Sequence, residues 1–328
     1  MQIKNFILRY FAAILAAVML LFAGRTSGGG WTARKPDDCK LTFSVLSDVH
    51  VEGNNFERYK IFAHALQDVK RNAANDAVVF LGDNTMNGQH IENLLFHGAV
   101  SAVLGKDATV LPVMGNHECY SLIWKFCRPR RYELSYNLPA NGSPELQNYY
   151  YSYDYGPVHF IVLNTQMLEL SAIHPELLEK QKVWLQQDIK DHPAKWRVVL
   201  MHKDVLAYDE FQEGSKTMMS ISDVGYAFMP LFDKLNIDLV LTGHMHTYRN
   251  RGHIYQLEPA DKGPVYIMSG PMGNQQYNVP ADKNFDKSAI YQPTPNNYLL
   301  LTASQEKLTV TCYTIAGEHV ETTEIVHA

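Results

Sequence analysis

Five short polar stretches contain residue types that bind metal ions, and each follows an apolar run. The stretches are Ser47-Asp48-Val49-His50, Gly82-Asp83-Asn84, Gly115-Asn116-His117-Glu118, Met201-His202 and Gly243-His244-Met245-His246. Carboxylate, imidazole and amide groups of this kind bind hard and borderline metals. The apolar runs, which predict buried strands, span residues 41–46, 77–81, 109–114, 197–201 and 238–242. Because strands of α/β proteins present polar loops at one edge of the sheet, we expect the five stretches to form one site.

Hydrolysis of a phosphate ester is the chemistry that such a set of ligands suits. The phosphoryl group is anionic and repels hydroxide, so its charge must be neutralised and a nucleophile generated near neutral pH; two metal ions about 3.5–4 Å apart do both. Asp83, which stands at a strand end, suits the carboxylate that bridges two ions. Asp48 with His50, and His244 with His246, can each supply two ligands from one loop because each pair has i, i+2 spacing.

The remaining candidates complete the site and supply a proton donor. Asn116 offers a neutral amide oxygen, which limits negative charge near the substrate, and His202 completes a set of seven ligands. His117 follows Asn116, so we expect it to lie near the phosphate and to protonate the leaving alkoxide as a general acid. Glu118 is predicted to support the ligands through hydrogen bonds, with an ordinary surface carboxylate as the equal alternative.

The sequence between the motifs predicts helices and strands in alternation, which favours a largely parallel sheet. Apolar residues recur at helical spacing in residues 55–72, 91–104, 175–192 and 223–235. A hairpin is predicted at 149–154 and 158–163, and further strands at 265–269, 298–303 and 308–315. Two irregular stretches, 120–147 and 270–297, are predicted to be functional loops that select the substrate.

The first 30 residues are predicted to be a signal peptide or an N-terminal anchor. Lys4 and Arg9 form its short positively charged start. The apolar run 10–23 that follows is short for a membrane span. Residues 31–40 are predicted to be a linker. We therefore expect an exported protein, periplasmic, secreted or at the cell surface, which contacts a membrane only if this anchor is not cleaved.

Charge and cysteine content exclude some classes of partner and site. The chain has 29 basic and 34 acidic residues without a basic stripe, which argues against nucleic acid as the main partner. Its four cysteines have no zinc-ligand spacing. Pairing of Cys119 with Cys127, pairing of Cys39 with Cys312, and free thiols all remain open.

In this order, the motifs D-x-H, G-D, G-N-H-E, a histidine after a strand, and G-H-x-H resemble the calcineurin-like metallophosphoesterase superfamily. Residues 181–188 and 263–270, with Tyr248 after the last ligand pair, resemble its purple acid phosphatase-like branch. The resemblance runs from about Leu41 to the C-terminus. It implies a catalytic domain at residues 41–328 with an α/β fold, a four-layer α-β-β-α sandwich of two mixed sheets flanked by helices.

The resemblance also implies which residues bind each metal. One ion would take Asp48, His50, Asp83 and His246, and the other would take Asp83, Asn116, His202 and His244. A metal-bound hydroxide would be the nucleophile, with His117 assisting the leaving group and with Glu118 and Tyr248 as supporting or substrate contacts. Met86 stands where purple enzymes have a tyrosine ligand for ferric iron, so we expect two ions of Mn, Zn or Fe without an iron–tyrosinate centre.

The function predicted from these residues is a binuclear metal-dependent hydrolase of small phosphomonoesters or phosphodiesters. A nucleotide-directed phosphodiesterase or pyrophosphatase is the alternative enzyme, because loops can change the substrate while the metals stay. A non-catalytic protein that holds a phosphorylated ligand is the rival from another class. Such a protein would be expected to lack some of the metal ligands, whereas all seven candidates are present here.

Overall fold

A computed structural model describes residues 40–327 apart from 73–75, 121–128, 208–219, 274, 278, 280, 282–283 and 290–294. The predicted signal or anchor, nearly all of the predicted linker, and both Cys39 and Cys127 lie outside the described residues. Within the described ranges, no helix combines the length and the apolar character needed to cross a membrane.

The strands form two mixed sheets, and the five strands predicted before the polar stretches are all present. The strands are β1 (Leu41–Leu46), β2 (Ala77–Phe80), β3 (Val110–Pro112), β4 (Tyr151–Tyr155), β5 (Val158–Val162), β6 (Trp196–Leu200), β7 (Leu206–Ala207), β8 (Ser220–Ile221), β9 (Leu239–Thr242), β10 (Arg249–Tyr255), β11 (Glu258–Pro259), β12 (Val265–Met268), β13 (Asn297–Ala303), β14 (Lys307–Thr314) and β15 (His319–Val326). The first sheet has the order β15-β14-β13-β1-β2-β3, and the second has the order β11-β10-β12-β9-β6-β5-β4. A separate two-stranded ribbon joins β7 and β8.

Each sheet contains a set of neighbouring parallel strands that carries the motif loops. In the first sheet β1, β2 and β3 are parallel, and the antiparallel strands β13, β14 and β15 extend it on one side. In the second sheet β5, β6, β9 and β12 are parallel, with antiparallel strands at both edges. The predicted hairpin is confirmed as β4 and β5.

Helices cover the outer face of each sheet. The helices are α1 (Phe56–Asn72), α2 (His90–Leu104), α3 (Arg130–Ser135), α4 (Leu177–Asp191) and α5 (Asp223–Lys234), with short 3-10 turns at His117–Cys119 and Pro144–Leu146. On the first sheet, the ring of Phe80 in β2 packs against Phe62 of α1 and Phe96 of α2. On the second sheet, α4 and α5 share an apolar cluster with β5, β6 and β9. The four predicted helices therefore form because each has an apolar face to bury.

The inner faces of the two sheets pack against each other. Phe43 of β1 makes edge-to-face contacts with Tyr155 and Phe160 of the second sheet, at ring distances of 5.5 and 4.8 Å. The hydroxyl of Tyr151 in β4 donates a hydrogen bond to the carbonyl of Pro112 in β3 (2.8 Å). These contacts confirm the predicted α-β-β-α sandwich. They also bring together the carboxyl ends of the parallel strands of the two sheets.

A buried histidine joins α4 to the second sheet. The imidazole of His159 in β5 is fully buried, with Nδ1 2.7 Å from a carboxylate oxygen of Asp154 and Nε2 2.9 Å from one of Asp188 in α4. Because both nitrogens face carboxylates, the ring binds best as an imidazolium. Burial alone would lower the pKa of His159, but the hydrogen bonds to Asp154 and Asp188 and the charges of these residues raise it above its ordinary value.

Because the pKa of His159 is raised by folding, its contribution to stability is complete below the unfolded value of about 6.5 and is lost as pH rises through the folded pKa. We expect His159→Gln to lower the free energy of unfolding by roughly 3 kcal/mol at pH 6, since it removes the charged partner of the buried Asp188 carboxylate, and by less at alkaline pH. Urea unfolding followed by tryptophan fluorescence measures the difference, with exposed His64→Gln as the control. A difference from wild type that does not change with pH would contradict the imidazolium assignment.

Candidate metal centre

The carboxyl ends of the central strands place all seven predicted ligands at one junction between the sheets. In the first sheet, ligand loops follow β1, β2 and β3; in the second, they follow β6 and β9. Ligand atoms from both sheets lie within 4.8 Å of one another in three overlapping groups. The groups are Asp48 with His50 and His246, His50 with Asp83 and His117, and Asp83 with His202 and His244.

The backbone of the ligand loops is strained. Five of the seven predicted ligands have left-handed φ angles between 47° and 73°, a conformation that side chains other than glycine adopt rarely; they are Asp48, His50, Asp83, His244 and His246. Such strain persists only where surrounding structure holds it, and it is concentrated at functional sites. The loops are therefore shaped for their side chains rather than for local backbone stability.

Glycines beside the ligands allow the loops to approach each other. A Cβ on Gly115 would overlap a carboxylate oxygen of Asp83, and a Cβ on Gly243 would overlap the hydroxyl of Ser47. The glycines of the G-N-H-E and G-H-x-H motifs are thus required by close contacts between loops.

One carboxylate oxygen of Asp83 lies between His202 on one side and His50 on the other. Oδ2 of Asp83 is 3.2 Å from Nε2 of His202 and 3.5 Å from Nε2 of His50. Asp83 therefore has the position expected of a residue that bridges two cations.

The ligands on one side of Asp83 converge on His202. Nε2 of His202 is 3.1 Å from Oδ1 of Asn116 and 3.2 Å from Nδ1 of His244. On the other side, Oδ1 of Asp48 is 3.4 Å from Nε2 of His246 and 3.9 Å from Nε2 of His50. These contacts place Asn116, His202 and His244 on one side of Asp83, and Asp48, His50 and His246 on the other.

Backbone carbonyls determine which nitrogen of two histidines faces the centre. Nδ1 of His202 lies 2.7 Å from the carbonyl of Leu81, and Nδ1 of His246 lies 2.6 Å from the carbonyl of Gln275. A carbonyl only accepts hydrogen bonds, so each Nδ1 carries a proton, and each Nε2 offers a lone pair to the cluster when its ring is neutral.

The two carboxylates are oriented by hydrogen bonds to their outer oxygens. Oδ1 of Asp83 accepts from the backbone N–H of His117 (2.9 Å), and Oδ2 of Asp48 accepts from Ser47 Oγ (2.7 Å) and the N–H of His244 (3.0 Å). The other oxygen of each carboxylate is left to face the histidines.

The donor set fits metal ions. Oδ1 of Asp48 and both ring nitrogens of His50 are buried without a hydrogen-bond partner, which is costly unless a cation satisfies them. Zinc-type ions bind nitrogen and oxygen ligands at about 2.0–2.2 Å, so ligand atoms that share an ion lie roughly 3–3.5 Å apart, close to the spacings found here.

The charges of these groups are strongly coupled. Burial would raise the pKa of Asp48, but the charge of His246 and the close approach of His246 and His50, at 3.4 and 3.9 Å from Oδ1, hold it well below its usual range. Burial opposes protonation of His202, yet the charge and hydrogen bond of Asp83 raise its pKa to about 9, whereas burial and the charge of His202 lower the pKa of His244 to about 3. The cluster therefore holds positive charge at its centre, where cations compete with protons.

His117 lies at the open side of the cluster. Nδ1 lies 2.6 Å from the carbonyl of Met86 and so carries the proton, which leaves Nε2 facing Oδ2 of Asp83 at 3.9 Å. The His117 side chain is 22% exposed, whereas those of His50 and His202 are 1% and 0% exposed. Its position differs from that of the buried ligands and is accessible to a bound molecule.

Glu118 is buried and joins the loops that follow β2 and β3. Oε2 accepts from the N–H groups of Asp83 (2.9 Å) and Gly115 (2.8 Å), and Oε1 accepts from the N–H (3.1 Å) and hydroxyl (3.2 Å) of Thr85. Burial and the nearby charge of Asp83 raise the pKa of Glu118 to about 7, against the effect of the hydrogen bonds from Gly115 and Thr85. This placement agrees with the predicted supporting role and argues against the alternative of a surface carboxylate.

Tyr248 occupies a different environment. Its ring is buried in the core that the two sheets share, and its hydroxyl donates a hydrogen bond to Glu321 of β15 (2.8 Å). This placement favours a packing role for Tyr248 over the predicted contact with substrate.

Several contacts of the site were not evident in the sequence. Lys203, which follows His202, forms an ion pair with both carboxylate oxygens of Glu169 (2.7 and 2.9 Å). The ring of Tyr277 stacks on His246 with centroids 4.1 Å apart. Glu169 and Tyr277 belong to no motif, so only their proximity in the fold identifies them.

Comparison with known proteins identifies the family. A model of the calcineurin-like phosphoesterase family matches residues 41–248, well over half of the chain, and this range contains all seven ligand candidates. The chain belongs to the calcineurin-like phosphoesterase family.

Within this family the chain is similar to purple acid phosphatases. It is 29% identical to purple acid phosphatase 21 of Arabidopsis thaliana over 168 residues, covering 49% of this chain and 36% of that protein. It is 25% identical to human acid phosphatase type 7 over 229 residues, covering 62% of this chain and 50% of that protein. The chain thus spans half or less of the length of these curated relatives.

A solved structure supports the assignment of the calcineurin-like fold. The purple acid phosphatase PPD1 from yellow lupin (Lupinus luteus) seeds aligns with a TM-score of 0.65 and 19% sequence identity, over 89% of this chain and 55% of that one. At this identity the comparison shows that the fold is shared.

The position of Asp83 between the two ligand groups predicts a difference between two variants of this phosphoesterase family member. We expect Asp83→Asn to reduce binding of both metal ions and Asp48→Asn to reduce binding of one, because Asp83 faces imidazole nitrogens of both groups whereas Asp48 faces those of one. Atomic emission spectrometry after dialysis at a fixed free metal concentration measures the ions bound per chain. Exposed Asp107→Asn is the control, and equal losses in the two site variants would argue against Asp83 as the bridge.

Proposed function

We propose that this chain is a binuclear metal-dependent hydrolase of small phosphate esters. The observation that carries the proposal is the shared oxygen of Asp83, which lies 3.2 Å from His202 and 3.5 Å from His50 in a buried junction of two sheets. Similarity to purple acid phosphatases supports the same reaction class.

The proposed ligands form two sets that share Asp83. Asp48, His50, Asp83 and His246 would hold one ion, and Asp83, Asn116, His202 and His244 would hold the other. When bound, two such ions neutralise phosphate charge and acidify water. Imidazole with carboxylate and amide oxygen suits Mn, Zn or Fe, and Met86 supplies no phenolate for an iron–tyrosinate centre.

We assign His117 the role of general acid. Because its Nδ1 proton is held by the carbonyl of Met86, Nε2 is the nitrogen that can deliver a proton to a leaving oxygen. The 22% exposure of this side chain leaves room for an ester beside it. Glu118 is proposed to act indirectly, by holding the backbone N–H groups of Asp83 and Gly115.

The substrate class and the cellular location of the protein are part of the same proposal. Phosphomonoesters or phosphodiesters are the proposed substrates, and a nucleotide-directed phosphodiesterase or pyrophosphatase is the alternative enzyme. Export is proposed on the pattern of residues 1–30, with a linker at 31–40 and the catalytic domain at 41–328. A non-catalytic phosphate-binding protein is disfavoured by the complete and oriented ligand set.

The role of His117 predicts a loss of turnover without a loss of metal. We expect His117→Ala to lower kcat about 10²- to 10⁴-fold, the range that general acid–base catalysis contributes, while the metal content stays unchanged. Steady-state kinetics with metal analysis on the same sample separates the two effects, and exposed His64→Ala is the matched control. Unchanged turnover in His117→Ala would rule out the acid role.

Metal removal tests the reaction class. Chelator-treated protein is expected to lose activity toward an aryl phosphomonoester and a bis-aryl phosphodiester, and to recover it with Mn, Zn or Fe. The ratio of the two restored rates separates monoesterase from diesterase activity. Two ions bound per chain without turnover of either ester would instead favour the binding protein.

A further inference from the structure

Five aromatic rings form a continuous row through the candidate centre. Their order is Tyr120, His117, His50, His246 and Tyr277, and successive ring centroids are 4.6, 4.4, 5.0 and 4.1 Å apart. The three inner rings are the imidazoles of the proposed acid and of two proposed ligands. The two outer rings are tyrosines. Each comes from one of the two stretches, 120–147 and 270–297, that the sequence predicts to select the substrate.

The two tyrosines are held in different ways. The ring of Tyr277 lies parallel to that of His246, at an angle of 5°, and its backbone N–H donates to the carbonyl of His246 (3.3 Å). Tyr277 therefore positions a proposed ligand, and one of its faces is already covered.

Tyr120 leaves much of its ring open beside the proposed acid. Its hydroxyl accepts a hydrogen bond from Nδ2 of Asn116 (3.2 Å), its ring is tilted by 55° to His117, and the residue is 45% exposed. A large exposed aromatic residue next to a catalytic group is available for contact with a ligand.

From this arrangement we infer that Tyr120 contacts the leaving group and selects phosphate esters of phenols, whose aromatic ring is attached directly to the leaving oxygen. The inference rests on the function proposed above. A leaving oxygen that receives a proton from Nε2 of His117 lies about 3 Å from that atom. Because the Tyr120 ring is centred 4.6 Å from that of His117, an aromatic group attached to that oxygen can be placed against it.

In the described part of the chain, two cations near the site are paired with carboxylates. Lys203 is paired with Glu169, and Arg58, which lies near Tyr277, is paired with Glu52 at 3.3 Å. Each of these cations is thus neutralised by a carboxylate and is not left to bind a second phosphate. An aromatic ring against Tyr120 needs no such charge and gains dispersion and quadrupole contacts.

Phosphonates that resist hydrolysis test this contact independently of turnover. Titration calorimetry on metal-loaded protein compares phenylphosphonate with methylphosphonate. We expect Tyr120→Leu to weaken phenylphosphonate binding about tenfold and methylphosphonate binding less than about twofold, as the loss of one aromatic contact implies. Tyr120→Phe should keep the wild-type ratio because it keeps the ring, and Tyr226→Leu, an exposed tyrosine of α5, is the matched control.

Turnover of phenyl phosphate and ethyl phosphate by the same variants separates this inference from the proposed function. Equal weakening of both phosphonates in Tyr120→Leu, or no weakening of either, overturns the leaving-group contact even if both esters are hydrolysed. Selective loss of phenylphosphonate binding supports the contact. If the wild type then binds phenylphosphonate but hydrolyses neither ester, the proposed function fails while the contact stands.

Discussion

One carboxylate oxygen, Oδ2 of Asp83, faces imidazole nitrogens on both sides, and the rest of the site is arranged around it. Acceptor atoms at 3–4 Å in a buried junction repel one another unless positive charge lies between them. Protons can supply part of that charge, as the raised pKa of His202 shows, but Oδ1 of Asp48 and the ring nitrogens of His50 remain unpaired. Bound cations would supply the remaining positive charge, and the fold holds the acceptor atoms in position to bind them.

The surrounding structure holds this arrangement through backbone groups. Carbonyls of Leu81, Gln275 and Met86 fix the protonated nitrogen of three histidines, and Glu118 collects N–H groups from the loops after β2 and β3. Five ligands have left-handed φ angles, and glycines stand where the loops approach closely. The loop backbone is therefore strained to give the ligands their geometry. The packed sheets beneath the loops, joined by Phe43 and Phe160, supply the rigidity.

The proposed ligands and the two tyrosines of the ring row come from different kinds of segment. The proposed ligands stand at strand ends, where the sheet positions them firmly, whereas Tyr120 and Tyr277 lie outside the strands and contact the ligands Asn116 and His246. The fold itself is shared with the lupin phosphatase at 19% sequence identity.

The sequence by itself predicted the strands before each motif, their helices and the seven ligand candidates, because apolar periodicity and ligand spacing are local properties. It did not predict β15, whose residues are mostly polar and exposed, since that edge strand forms by pairing with β14. Tertiary structure alone decided that Tyr248 reaches Glu321 and that Tyr120 and Tyr277 end one row of rings. These placements depend on contacts between residues far apart in the chain, which no local pattern records.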